Sequence, residues 1–165
     1  IAHLEGYGRR WNYGSPTQRG DWRHGDVHVR QGVIIFLGLE ASDDASSNGV
    51  VVQVTQDELV ELDWRERDYD RVDVTDRVGT VAASPPRSGP TRVFTYVPRP
   101  SAIERYRRAR LEGRAAVRQG YVELVEQAFT ALGRAAIDRY RATTPSPDVP
   151  VVAPERVWLE PLPGG

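Results

Sequence analysis

The spacing of apolar residues late in the chain predicts helices. After Gly120 the apolar positions fall at intervals of three and four residues, which places them on one helical face: Tyr121, Leu124, Val125, Ala128, Phe129 and Leu132. A shorter helix is predicted over 135–141, after Gly133. The segment 143–165 is rich in proline and predicts an irregular tail.

A further helix is predicted from Gln56, because Thr55 and Glu58 form a T-x-x-E capping box in front of it. Leu59 and Leu62 share one stripe of this helix. Glu66 follows Leu62 by four residues, so its carboxylate is expected on the same, inward-facing side. Beyond it, Val72 and Val74 alternate with charged residues, as in a half-buried strand.

A similar box, Ser101 to Glu104, predicts the start of another helix after Pro98 and Pro100.

Strands are expected mainly in the first half of the chain. The continuous apolar run 33–37 predicts a strand within 27–39 that is buried on both faces. Asn48-Gly49 leads into 50–54, which predicts an antiparallel partner for that strand. Residues 1–13 and 92–97 also predict strands, whereas the polar stretches 14–26 and 41–48 predict loops.

Strands first and helices late indicate the α+β class. We expect a small, mostly antiparallel, barrel-like sheet with helices packed on one side. The 165 residues are enough for one domain with a single core. The chain starts at Ile1 and contains no Met, so we expect a single domain over 1–165 that is truncated at its N-terminus.

Composition excludes several kinds of site. The chain has no Cys, which rules out disulfides and zinc–thiolate sites and fits a cytoplasmic location. All 22 basic residues are Arg, so no Schiff-base or P-loop lysine is available. A net charge of −1 gives no global reason to expect nucleic acid or a membrane as partner.

Charge is nevertheless distributed in two opposite blocks. Residues 57–76 hold nine acids against three Arg, a net of −6, and residues 101–118 hold six Arg against two Glu, a net of +4. Such blocks are usually solvated faces, or they meet each other. An acidic partner or RNA docking on the Arg-rich stretch is the sharper alternative.

Four residues of types that bind metals, two Asp and two His, occur close together around Gly25: Asp21, His24, Asp26 and His28. The glycine between the two His argues against a helical pair, and no third nitrogen ligand is near. We therefore predict a solvated loop and no metal site.

Several motifs together carry a family resemblance. The chain reads Gly49-Val-Val-x-x-Val54, then Leu62-Asp-x-x-Glu66, then Tyr69-x-x-Val-x-Val74. Upstream, Ala2 to Arg9 reads A-x-L-x-G-Y-x-R, and 98–132 reads as a proline followed by a tyrosine-led helix. This pattern resembles the γ-glutamylcyclotransferase-like superfamily.

The resemblance implies a chemistry and a set of roles. Enzymes of that superfamily cleave γ-glutamyl amides without water, cofactor or metal, releasing 5-oxoproline and a free amine or amino acid. On the match, Glu66 is the general acid/base. Tyr121 lines the substrate pocket or is a core aromatic, and Tyr69 lines it or merely packs. Gly49 permits close approach of a ligand, or is a plain turn glycine.

One family element has no clear counterpart. The superfamily's Y-G-S-x-L loop supplies backbone donors and is expected upstream of Ala2. Tyr13-Gly14-Ser15 has its first letters, but Pro16 follows and the position is later than expected. This stretch is either a displaced version of the loop or simply a turn. A non-catalytic binding module and a different amide-processing reaction on the same scaffold remain alternatives.

Overall fold

The computed structural model describes residues 1–80 and 92–153. The strands are β1 (Ala2–His24), β2 (Val27–Gly49), β3 (Tyr69–Asp73), β4 (Val78–Thr80), β5 (Phe94–Pro98), β6 (Ala115–Arg118) and β7 (Val151–Val152). The helices are α1 (Gln56–Arg65), α2 (Pro100–Leu111), α3 (Gln119–Ala131) and α4 (Arg134–Thr143), with one 3₁₀ turn at Thr75–Arg77.

A long antiparallel hairpin of β1 and β2 dominates the molecule, and only Gly25 and Asp26 form its turn. Gly25 has a φ of 55°, a conformation that glycine adopts without a steric penalty. Four register shifts interrupt the pairing. The loops predicted over 14–26 and 41–48 are therefore wrong. Both polar stretches lie in the strands of the hairpin. Many of their side chains are exposed there, so the sequence lacks the apolar alternation that marks a half-buried strand.

The strands form two sheets. The larger has the order β4-β1-β2-β6-β7, in which β6 runs parallel to β2 and β7 parallel to β6. The smaller consists of β3 and β5, paired antiparallel. The α+β class is confirmed. The larger sheet is mixed: β4, β1 and β2 pair antiparallel, and β6 and β7 are added in parallel. The strands within 1–80 and 92–153 do not close the expected barrel.

The core lies on both faces of β2. Ile34 and Ile35 point to opposite faces and are both fully buried. Ile35 packs in one apolar cluster with Trp11 and Ala109, and Ile34 packs in the other with Ala116. The prediction that the apolar run 33–37 is buried on both faces is correct for these central residues.

The segment Val50–Val54 is not a strand, and its predicted pairing with 27–39 is wrong. Its valines are exposed, and Val52 is 75% accessible. Both edges of β2 are occupied already, by β1 on one side and by β6 on the other. An apolar, β-branched segment therefore remains outside the sheet.

The helices largely follow their sequence signals. The Thr55–Glu58 capping box is present, with the Thr55 amide donating to Glu58 Oε2 at 2.7 Å. The box predicted at Ser101 is absent: α2 begins at Pro100, whose fixed φ suits the first helical turn. The helices predicted over 121–132 and 135–141 are confirmed as α3 and α4.

The predicted irregular tail is correct only in part. Residues 144–150 contain no helix or strand, and the Trp11 indole donates to the Pro145 carbonyl at 2.9 Å. Val151–Val152 then joins the sheet as β7. The remainder of the proposed tail, 154–165, lies outside the described residues.

Across the two described ranges, no helix is long and apolar enough to cross a membrane. Within the same ranges, no three or more His, Asp or Glu side chains are grouped as a metal site would require.

Candidate functional site

Glu66 lies where α1 ends and β3 is about to begin. It caps the helix: its amide donates to the Leu62 carbonyl at 2.8 Å, and its own carbonyl accepts the Tyr69 amide at 2.8 Å. Four residues of this segment are half-buried and form one stripe: Leu59, Leu62, Asp63 and Glu66. The other residues of α1 are exposed. The Glu66 side chain is 26% accessible, so it faces neither a sealed core nor open solvent.

The nearest charge partner of Glu66 is Arg65, whose Nε donates to Glu66 Oε1 at 2.8 Å. The Arg65 side chain is 68% accessible. Ion pairs with such an exposed member contribute about 0–1 kcal/mol. A ligand that offers Glu66 a better hydrogen bond would therefore displace Arg65 at little cost.

An aromatic row extends from this junction into the core. Tyr69 stacks on Tyr13 with ring centroids 4.6 Å apart and planes inclined by 9°. Tyr13 lies 6.2 Å from Phe36, and Phe36 meets Tyr121 edge-on at 4.8 Å. Trp11 ends the row, 6.1 Å from Tyr121. Tyr69 and Tyr121 thus belong to one contiguous aromatic row, which begins beside Glu66.

The two phenols nearest Glu66 have raised pKa values. Burial, followed by the adjacent Asp68 carboxylate, raises the pKa of Tyr13 to about 12. Burial, followed by Tyr13 and then the Glu66 carboxylate, raises the pKa of Tyr69 well above its usual range. The Glu66 charge contributes to both shifts, so its carboxylate is within electrostatic reach of both rings. Both phenols therefore stay protonated and can act as hydrogen-bond donors.

A half-buried ion pair closes the other side of Tyr13. Arg105 on α2 pairs with Asp68, and each side chain is 24% accessible. Arg105 Nε also donates to the Gly14 carbonyl at 2.9 Å. At Gly14 a Cβ atom would lie 2.6 Å from the Tyr106 amide nitrogen. Glycine is needed here because α2 lies directly on the backbone of β1.

Tyr13 is the site residue that the sequence interpretation missed. Tyr13-Gly14-Ser15 is not a turn, because all three residues lie within β1. Ser15 is buried, and its Oγ accepts the Gln18 amide at 3.0 Å, in the bulge that follows. The available signal was the alternation of Trp11 and Tyr13, which indicated a strand with an aromatic face.

Gly49 lies elsewhere, at the end of β2. It lines a cavity of about 190 Å³ together with Arg9, Asn48 and Phe94, and Glu66 is not among the lining residues. A Cβ atom added at Gly49 would meet nothing within 4 Å. The structure therefore does not bring Gly49 to Glu66, and the open space fits either interpretation of this glycine.

Tyr121 lies in the first turn of α3 and is packed against the core cluster that contains Trp11 and Ile35. Burial raises its pKa. Phe36 and Tyr13 lie between Tyr121 and Tyr69 in the aromatic row, so Tyr121 packs in the core at the far side of these rings from Glu66.

The two charge blocks of the sequence meet at this site. Asp68 in the acidic block pairs with Arg105 in the basic block. The alternative in which the blocks meet each other is confirmed for this pair.

Comparison with known proteins gave no match of the chain to a family model, to a curated protein or to a solved structure.

Proposed function

We propose that this protein is a γ-glutamylcyclotransferase-type enzyme. It would cleave a γ-glutamyl amide by intramolecular cyclisation, giving 5-oxoproline and a free amine or amino acid. The finer fold assignment, a γ-glutamylcyclotransferase-like domain, belongs to the same proposal. The observation that carries it is the position of Glu66, a half-buried carboxylate at a helix–strand junction beside two protonated phenols.

The chemistry needs one group that accepts a proton and returns it. The substrate's α-amine attacks its own γ-carbonyl carbon and forms the ring C–N bond. The Glu66 carboxylate takes the proton that the attacking nitrogen loses. The original amide C–N bond then breaks, and the carboxylic acid of Glu66 gives this proton to the leaving nitrogen. No water is consumed, and Glu66 ends as the carboxylate with which it started.

The surroundings of Glu66 support this sequence of steps. The oxyanion formed during attack needs a hydrogen-bond donor, and Tyr13 and Tyr69 are neutral phenols close to the acid. Closing a five-membered ring is intramolecular, so a site that holds the substrate folded supplies much of the rate. The weak Arg65 pair leaves the carboxylate available to the incoming α-amine.

One observation favours a second candidate, a non-catalytic binding module of the same fold. Glu66 is already hydrogen-bonded to Arg65, and it is not among the residues that line the cavities of about 190, 260 and 390 Å³. In that case the acid and the aromatic row would hold a ligand without turning it over.

Product analysis separates these candidates and a third, in which water cleaves the amide. Full-length protein is incubated with glutathione, γ-glutamyl amino acids and other γ-glutamyl amides in heavy-oxygen water, and the products are followed by mass spectrometry. We expect 5-oxoproline without solvent oxygen, and one free amine per 5-oxoproline. Labelled glutamate would indicate hydrolysis instead. Binding without any product would favour the non-catalytic module.

A further inference from the structure

Four arginines line one cavity between α2 and the hairpin of β1 and β2. The cavity measures about 260 Å³, and its described lining is completed by two small apolar residues, Val33 and Ala109. The arginines come from three parts of the chain: Arg19 on β1, Arg105 and Arg108 on α2, and Arg114 just before β6. We call this group the arginine cavity.

Arg105 and Arg114 are half-buried and held in place by backbone carbonyls, whereas Arg108 is exposed and paired with Glu112. Arg105 Nε donates to the Gly14 carbonyl at 2.9 Å. Arg108 Nε donates to Glu112 at 2.9 Å, and Arg114 Nε donates to the other oxygen of the same carboxylate at 2.7 Å. Arg114 Nη1 also donates to the Gln31 carbonyl at 2.9 Å. The two side chains held by backbone carbonyls lose little further conformational freedom when they bind a ligand.

The cavity carries excess positive charge. Among residues 1–80 and 92–153, the carboxylates in contact with its arginines are Asp68 and Glu112. Two negative charges against four guanidinium groups leave a net of +2, although Glu104 on the exposed side of α2 also acts on Arg108. Like charges gathered around one concave space repel each other, and a bound anion would offset that repulsion.

We propose that the arginine cavity binds a small phosphate-bearing anion. A phosphate group offers several oxygens around one centre, and the planar guanidinium groups of Arg bind such oxygens bidentately. The volume suits a phosphate or diphosphate group. The lining includes no aromatic ring on which a nucleic-acid base could stack, so the observations favour a small anion over RNA.

This binding site does not depend on the proposed catalytic function. Its lining does not include Glu66, Tyr13 or Tyr69. Arg105 alone belongs to both regions, because it also pairs with Asp68. It is therefore left unchanged in the test.

The test is isothermal titration calorimetry, in which full-length protein is titrated with inorganic phosphate and with pyrophosphate at constant ionic strength. Two variants are compared with the wild-type protein: the single variant Arg108→Gln and the double variant Arg19→Gln/Arg108→Gln. Arg107→Gln is the matched control: it lies on the same helix, is exposed, removes the same charge and does not line the cavity. Circular dichroism checks that each variant keeps its helices.

We expect one pyrophosphate per chain, bound more tightly than phosphate. Arg108→Gln should weaken pyrophosphate binding about tenfold to a hundredfold, the effect of losing one charge-assisted hydrogen bond. The double variant should weaken it further, and Arg107→Gln should leave it within about twofold, the size of a remote surface-charge effect. No binding of either anion at millimolar concentration, or equal losses in Arg107→Gln and Arg108→Gln, would overturn the proposal. So would binding of a single-stranded RNA oligonucleotide without binding of pyrophosphate.

Discussion

At the level of single residues, partial burial distinguishes the candidate site from the rest of a highly charged surface. Glu66 is half-buried because it occupies the last inward position of a stripe that Leu59 and Leu62 begin. That position was predictable from helical spacing alone. The position of Tyr13 was not predictable, because its place beside Tyr69 depends on β1 continuing through Gly14, where the sequence is also typical of a turn.

The raised pKa of Tyr13 predicts a loss of stability at alkaline pH. Its pKa is about 12 in the folded chain against 10.0 for a free phenol. The folded state therefore holds the proton more tightly, so this contribution is complete below pH 10.0 and is lost as pH rises towards 12. We expect Tyr13→Phe to reduce the fall in the free energy of unfolding across that interval, as measured by urea unfolding at several pH values.

Burial also raises the pKa of five other tyrosines, which should together account for the remaining slope: Tyr69, Tyr96, Tyr106, Tyr121 and Tyr140. The control is Phe36→Leu: Phe36 neighbours Tyr13 in the aromatic row and has no ionisable group, so this substitution should leave the slope unchanged. An unchanged slope in Tyr13→Phe would contradict the environment described for this phenol.

At the level of elements, the sequence identified the helices better than the long strands. The capping box at Thr55 and the apolar spacing after Gly120 act locally, so they survive in the fold. Strand pairing is non-local. Across the hairpin, residues 14–24 pair with 27–35 and residues 41–48 pair with 3–7, whereas the apolar segment 50–54 lies outside the sheet because β1 and β6 occupy the two edges of β2. Propensity alone could not rank those partners.

The contact between α2 and β1 depends on one glycine. Gly14→Ala would place a Cβ atom 2.6 Å from the Tyr106 amide nitrogen, so the helix would have to shift. We expect the free energy of unfolding to fall by about 1–3 kcal/mol, the usual cost of overpacking. Chemical denaturation measures this directly.

Gly20→Ala on the same strand is the matched control. The nearest atom to a Cβ there is 3.6 Å away, an ordinary van der Waals distance. Its effect should be small. Equal destabilisation by the two substitutions would show that the strand, rather than its contact with α2, is responsible.

For the molecule as a whole, the long hairpin is the scaffold that brings the two charge blocks together. β1 carries Tyr13, α2 lies on β1 and carries Arg105, and Arg105 holds Asp68 beside Glu66. The composition of the blocks was evident from the sequence, but which charges would meet was not. That depends on the close approach at Gly14, a tertiary contact with no local signature.

The most direct test of the account is the effect of Glu66→Gln on 5-oxoproline release by full-length protein. This substitution keeps the shape of the side chain and replaces its carboxylate by an amide that cannot accept and return the proton. We expect kcat to fall by ~100-fold or more, the usual loss when a general acid/base is removed. Glu61→Gln, the same exchange at an exposed position of α1, should retain wild-type turnover. Equal turnover by Glu66→Gln and wild-type protein would contradict the central claim that this carboxylate moves the proton.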